Sequence, residues 1–140
     1  RKSARLDFFL PVESTRLGCV VVIENNEWQH VGPSYACDLQ RIFNCGNALE
    51  NTEEYRGTKL LIINFNPHHY LRDGVRRSHT LQSSHELLLK TLRDLTPEDI
   101  RTGTNLIYIH YDETGGELEI FLDPDNDFAP LFHDQVIRHI

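Results

Sequence analysis

Two carboxylates and a histidine near the start of the chain could form a metal-dependent hydrolytic site. Asp7 stands next to Phe8 in an apolar segment, where β-strands disfavour aspartate, and Glu24 follows the apolar residues 20–23. A carboxylate in such surroundings needs a partner or a cation, and hard divalent cations such as Mg²⁺ prefer oxygen ligands. His30 follows Glu24 closely and could act as a general base toward a water molecule. The alternative is that Asp7 faces solvent on an edge strand and His30 is an ordinary loop residue.

The elements that must position these residues alternate between strands and helices. Apolar runs predict strands at residues 5–10, 20–23, 59–65, 105–111 and 117–121. Helical spacing of apolar residues predicts helices at about residues 35–46, 80–94 and 128–140. The order β-β-α-β-α-β-β-α predicts an α/β fold in which helices flank a mixed central β-sheet. The first two strands are expected to form an antiparallel hairpin that brings Asp7 near Glu24.

Length and composition favour one domain over residues 1–140. The chain is 39% hydrophobic and 25% charged, and no apolar run approaches the roughly 18 residues of a membrane-spanning helix, so no membrane partner is expected. The chain has no initiating methionine and no methionine elsewhere, so we expect a fragment of a longer protein or a processed form of one. Three cysteines without a C-x-x-C motif favour a reducing, intracellular compartment, nuclear or cytoplasmic.

Charge is distributed unevenly along the chain. A net charge of −7 counts against a protein whose whole surface binds nucleic acid. The predicted loop after the third strand nevertheless carries Arg72, Arg76 and Arg77, and we expect these to contact phosphates. The alternative is that they belong to a solvated loop.

Several of these residues occur in an order that resembles a nuclease superfamily. The segments are Arg5-x-Asp7-Phe8, Glu24-x-Asn26-Glu27-x-Gln29-His30 after an apolar strand, Asp38-x-x-Arg41 on a helix, and Asn66-Pro67 after a strand. They resemble the PD-(D/E)xK superfamily, in its branch of very-short-patch repair endonuclease-like and EDxHD homing endonuclease-like proteins. The resemblance covers about residues 5–70. It implies a restriction-endonuclease-like fold and Mg²⁺-dependent (or Mn²⁺-dependent) hydrolysis of DNA phosphodiester bonds.

The resemblance also implies roles for individual residues. Asp7, Glu24 and Asn26 would be the metal ligands, and His30 would be the base or the partner of a metal-bound water. The helical residues Asp38 and Arg41 would brace the site or contact phosphate, with Glu27 and Gln29 as supporting residues. The family pattern has Asp where this chain has Asn26, so we expect a lower metal affinity.

The leading hypothesis is therefore a Mg-dependent endodeoxyribonuclease, a hydrolase whose activity is impaired by Asn26. Its partner would be DNA, and double-strand cleavage by a domain with one site would favour a homodimer. One alternative is a catalytically inactive nuclease-fold module that binds nucleic acid or protein. Another is an unrelated α/β enzyme or scaffold whose acidic residues are incidental.

Overall fold

A computed structural model describes residues 8–26, 34–114, 117–122, 125 and 134–140. The strands in these ranges are β1 (Phe8–Leu10), β2 (Cys19–Asn25), β3 (Lys59–Phe65), β4 (Tyr70–Arg72), β5 (Val75–Arg77), β6 (Thr104–Ile109) and β7 (Asp134–His139). The helices are α1 (Ser34–Asn51), α2 (Leu81–Asp94) and α3 (Glu117–Leu122). Across these described ranges, no helix is both long enough and apolar enough to cross a membrane.

Five of the strands form a mixed central sheet in the order β1-β2-β3-β6-β7. β1 is antiparallel to β2, with Phe8 opposite Ile23, and the other neighbours are parallel. Nearly every residue of β2, β3 and β6 is buried, which is why their sequences are almost continuously apolar. The prediction of a mixed sheet flanked by helices is confirmed, as is the antiparallel pairing of the first two strands.

The helices cover both faces of this sheet. Ile42 of α1 and Leu118 of α3 pack on one face, whereas Leu88 and Leu92 of α2 pack on the other. The connections from β2 to β3 and from β3 to β6 step in the same direction across the sheet. Because α1 and α2 lie on opposite faces, these two crossovers have opposite hands, and one departs from the usual right-handed rule.

Two predicted elements near the end of the chain are wrong. The segment predicted as a strand at residues 117–121 is the helix α3, whose Leu118 and Phe121 lie three residues apart and pack together on the sheet. The helix predicted over residues 128–140 is wrong for residues 134–139, which form β7 parallel to β6. The observed order in the described residues is therefore β-β-α-β-β-β-α-β-α-β, not the predicted β-β-α-β-α-β-β-α.

Contrary to the prediction from the sequence, Gly46 does not end the first helix but lies within it. The first helix was expected to end near Gly46, but α1 continues to Asn51. A Cβ at Gly46 would lie 3.0 Å from Oγ1 of Thr104 on β6, so this glycine allows α1 to approach the sheet closely. Its role is packing rather than chain reversal.

The predicted loop after β3 contains a small β-hairpin made of β4 and β5. Its two-residue turn is Asp73-Gly74, and both residues have positive φ, 55° and 75°. An Asp-Gly pair is a strong signal for a tight hairpin turn, because it tolerates this left-handed backbone. The signal was present in the sequence and indicates the hairpin directly.

Candidate functional site

Three buried polar side chains lie together at the carboxyl edge of β2 and β3. Glu24, Asn26 and Asn64 are 4%, 2% and 2% exposed, and Glu24 is the register partner of Asn64. They line one small pocket on the face of the sheet that α1 covers. The pocket has a volume of about 10 Å³, which is room for one water molecule or one metal ion. Glu24 and Asn26 thus lie on the same face of the sheet.

The charge of Glu24 is balanced by an arginine from α1. Nη1 of Arg41 lies 3.3 Å from Oε2 of Glu24, and the two side chains are 11% and 5% exposed. Buried carboxylates are tolerated when such a partner is present. The guanidinium of Arg41 is thus engaged with the carboxylate and offers little surface to a phosphate. The sequence analysis identified Glu24 and Arg41 as candidate site residues, but it did not predict that their side chains form an ion pair.

Asn26 belongs to a buried hydrogen-bond network. Its side-chain Nδ2 donates to Oδ1 of Asn64 at 3.2 Å and to the hydroxyl of Tyr111 at 2.5 Å. Within the described part of the chain, Oδ1 of Asn26 and Nδ2 of Asn64 are buried and have no hydrogen-bond partner. A buried carbonyl oxygen without a donor is an unfavourable arrangement, and water or a cation would relieve it.

Tyr111 reaches this face because the backbone turns sharply at His110. Regular alternation after Tyr108 would direct residue 110 toward α1 and residue 111 toward α2. His110 instead has a φ of 62°, and its ring stacks on Tyr70 at 4.6 Å and lies 4.1 Å from His79. Tyr111 therefore returns to the α1 face, where its ring meets Tyr108 edge-on. The sequence carries no clear signal for a left-handed histidine, and Tyr111 was missed for that reason.

Burial shifts the pKa values of several groups around the site. It raises the pKa of the Cys45 thiol, with the nearby charge of Glu24 adding to the effect, so the thiol stays protonated. It also lowers the pKa of His110 to about 4, with the charges of His79 and Arg72 adding to the effect. Neither group is therefore poised as a nucleophile or a charged acid near neutral pH.

The three predicted DNA-binding arginines of the β4–β5 hairpin have different environments. Arg76 and Arg77 are exposed on β5, where they could contact a phosphate. Arg72, the last residue of β4, is half-buried. It contacts the carboxylate of Glu113 at 3.6 Å and the ring of His139 at 3.1 Å. Arg72 therefore fixes the hairpin to the end of β6 and β7. Nη2 of Arg76 lies 3.1 Å from Nδ1 of His69, and the exposed Arg77 is the more accessible of the two residues to a ligand.

Five of the predicted site residues have side chains that the structure does not describe. Asp7, Glu27, Gln29 and His30 lie outside the described residues, as does the side chain of Asp38 on α1. Among the side chains that are described, no three or more His, Cys, Asp or Glu residues come together as a metal site.

The polar atoms at the pocket nevertheless fit a small hard cation. Glu24 supplies a carboxylate, and Asn26 supplies a buried oxygen that has no donor within the described ranges. Such a cation would need additional oxygen ligands from other residues or from solvent.

Comparison with known proteins gives no assignment: no protein-family model, curated protein or solved structure matches this chain.

Proposed function

We propose that this chain is a metal-dependent DNA endonuclease domain of restriction-endonuclease-like topology, whose activity is reduced by Asn26. The observation that carries the proposal is the arrangement of Glu24 and Asn26, which face one water-sized pocket at the carboxyl edge of two parallel strands. The carboxyl edge of parallel strands is where open α/β sheets commonly build their sites. Asn26 also has an oxygen there without a donor among the described residues.

The proposal assigns a role to each polar group. In the sequence Asp7 precedes Phe8, and Phe8 pairs with Ile23, the residue before Glu24. Asp7, Glu24 and Asn26 would hold Mg²⁺ or Mn²⁺, which when bound polarises a scissile phosphate and lowers the pKa of a water molecule. His30 would accept the proton of the attacking water.

The remaining residues would orient the site and hold the substrate. Arg41 keeps the carboxylate of Glu24 in one position through its contact at 3.3 Å. Arg76 and Arg77 would contact the DNA backbone from the exposed strand β5. Asp38, Glu27 and Gln29 would support the site, and a homodimer would allow both DNA strands to be cut. An intracellular location, nuclear or cytoplasmic, would follow from the DNA substrate.

The decisive experiment replaces Asn26 with Asp and measures metal binding and DNA nicking. Asn26→Asp adds a negative charge at the pocket, so we expect tighter binding of Mg²⁺ or Mn²⁺ by calorimetry and faster nicking of supercoiled plasmid. Asn25→Asp is the matched control, because it adds the same charge one residue earlier at an exposed position. Equal metal affinity and equal nicking in the two variants would contradict the proposed site.

A second candidate function is a nuclease-fold module that binds nucleic acid or protein without catalysis. The pairing of Arg41 with Glu24 favours it, because the acid is already neutralised without a metal. This candidate predicts that the unmodified chain binds duplex DNA or a protein partner in the presence of a chelator. It also predicts that Asn26→Asp gains no nicking activity.

A further inference from the structure

Tyr111 and Asn64 contact the side chain at position 26 from two sides. The hydroxyl of Tyr111 and Oδ1 of Asn64 both accept hydrogen bonds from Nδ2 of Asn26. Tyr111 is 1% exposed and Asn64 is 2% exposed, so bulk water does not compete for hydrogen bonds with either side chain. With Nδ2 of Asn26 held by two acceptors, its Oδ1 has no partner in the described part of the chain.

Both partners can also hold a carboxylate at position 26. A tyrosine hydroxyl is a donor as well as an acceptor, so it can donate to a carboxylate oxygen. Asn64 has an amide whose Nδ2 lacks a partner in the described ranges, and a half-turn of this amide exchanges its oxygen for that donor. The network therefore suits either chemical form of residue 26 without any movement of the backbone.

We propose that Tyr111 is a positioning residue that fixes the orientation of the side chain at position 26, with Asn64 as its second contact. The inference rests on the proposed function, since the side chain that Tyr111 orients is a proposed metal ligand. Tyr111 does not line the pocket itself and acts through residue 26. The left-handed turn at His110 is what brings the hydroxyl to this face.

The test removes only the hydroxyl, by Tyr111→Phe, and is made in two backgrounds. With Asn26→Asp present, the additional Tyr111→Phe change should weaken Mn²⁺ binding by about 10–100-fold in calorimetry, the usual effect of losing a group that orients a ligand. With Asn26 present, Tyr111→Phe should accelerate hydrogen exchange of the Asn26 side-chain amide, measured by NMR. Tyr108→Phe is the matched control, since Tyr108 is another buried tyrosine on the same face.

The outcomes separate this inference from the proposed function. A purely structural role would lower the free energy of unfolding but leave the Mn²⁺ affinity and the Asn26 amide exchange at the values of the Tyr108→Phe control. That result would overturn the inference, even if Asn26→Asp alone binds metal. If Asn26→Asp binds no metal, the proposed function fails. The amide exchange of Asn26 still decides whether Tyr111 orients residue 26.

Discussion

Replacing Arg41 by methionine should expose the electrostatic cost of Glu24. The substitution leaves a long, uncharged side chain at this position and removes the guanidinium, whose Nη1 lies 3.3 Å from the carboxylate of Glu24. Glu24 is 4% exposed, so water cannot easily take over the role of the lost charge. Removing one partner of a buried ion pair costs about 3–5 kcal/mol of the free energy of unfolding. For a domain of this length, we expect the melting temperature to fall by about 10–15 °C.

The same variant should become sensitive to divalent cations. A cation bound in the pocket would replace the missing positive charge, and a ligand at about 100 times its Kd stabilises a fold by about 2.7 kcal/mol. We therefore expect Mg²⁺ to raise the melting temperature of Arg41→Met more than that of the unmodified chain, with chelator as the reference condition. The assay is thermal unfolding followed by circular dichroism over a Mg²⁺ titration.

A surface ion pair provides the control for this experiment. Lys90 and Asp94 pair on the exposed side of α2, with side chains 64% and 61% exposed. Lys90→Met removes one charge there as well, but solvent screens the remaining carboxylate, so stability should change little. Equal Mg²⁺ effects on both variants would refute the reasoning, because the stabilisation would then be non-specific. A stable Arg41→Met without any Mg²⁺ effect would show that Glu24 does not need a counter-charge.

Three further predictions concern other parts of the chain. Arg16 donates to main-chain carbonyls at the end of α2, so Arg16→Ala should lower the free energy of unfolding by about 1–2 kcal/mol in urea denaturation, and no loss would contradict this capping role. The pKa of His110 is lowered to about 4, so between pH 6.5 and 4 the unfolded state binds a proton that the folded state does not. The free energy of unfolding should therefore decrease as the pH is lowered from 6.5 to 4. His110→Asn, which tolerates the left-handed backbone, should flatten this loss in urea titrations at several pH values; an unchanged slope would exclude His110 as its source. The double change Arg76→Ala and Arg77→Ala should reduce the slope of log affinity for DNA against log salt by about 2, whereas an unchanged slope would mean that the hairpin does not touch phosphates.

The central strands are readable from the sequence because their burial leaves little choice of residue. β2, β3 and β6 are buried on both faces, so each requires an apolar run of strand length, and such runs are conspicuous. The shared face of Glu24 and Asn26 follows from simple alternation along β2. The N-terminus of α2 is equally local, since Thr80 accepts a hydrogen bond from the amide of Ser83.

Features that depend on distant contacts are not readable in this way. The short segment of α3 contains apolar residues that suit a strand or a helix, and packing of Leu118 against the sheet decides between them. β7 is a strand because β6 offers it an edge, which no local pattern reveals. The same limit applies to the pairing of Glu24 with Arg41 and to the reversal at His110, both of which arise from tertiary structure.

The order of the strands in the central sheet affects how the chain can fold while it is being synthesised. β2, β3, β6 and β7 lie side by side in the order in which a ribosome produces them, so each new strand can add to a neighbour already made. Until residues 134–139 emerge, the growing edge is β6, whose residues are all buried in the finished fold. An open apolar edge pairs readily with other chains. A nascent chain that stops just before β7 is therefore the form that we expect to aggregate first and to depend most on chaperones.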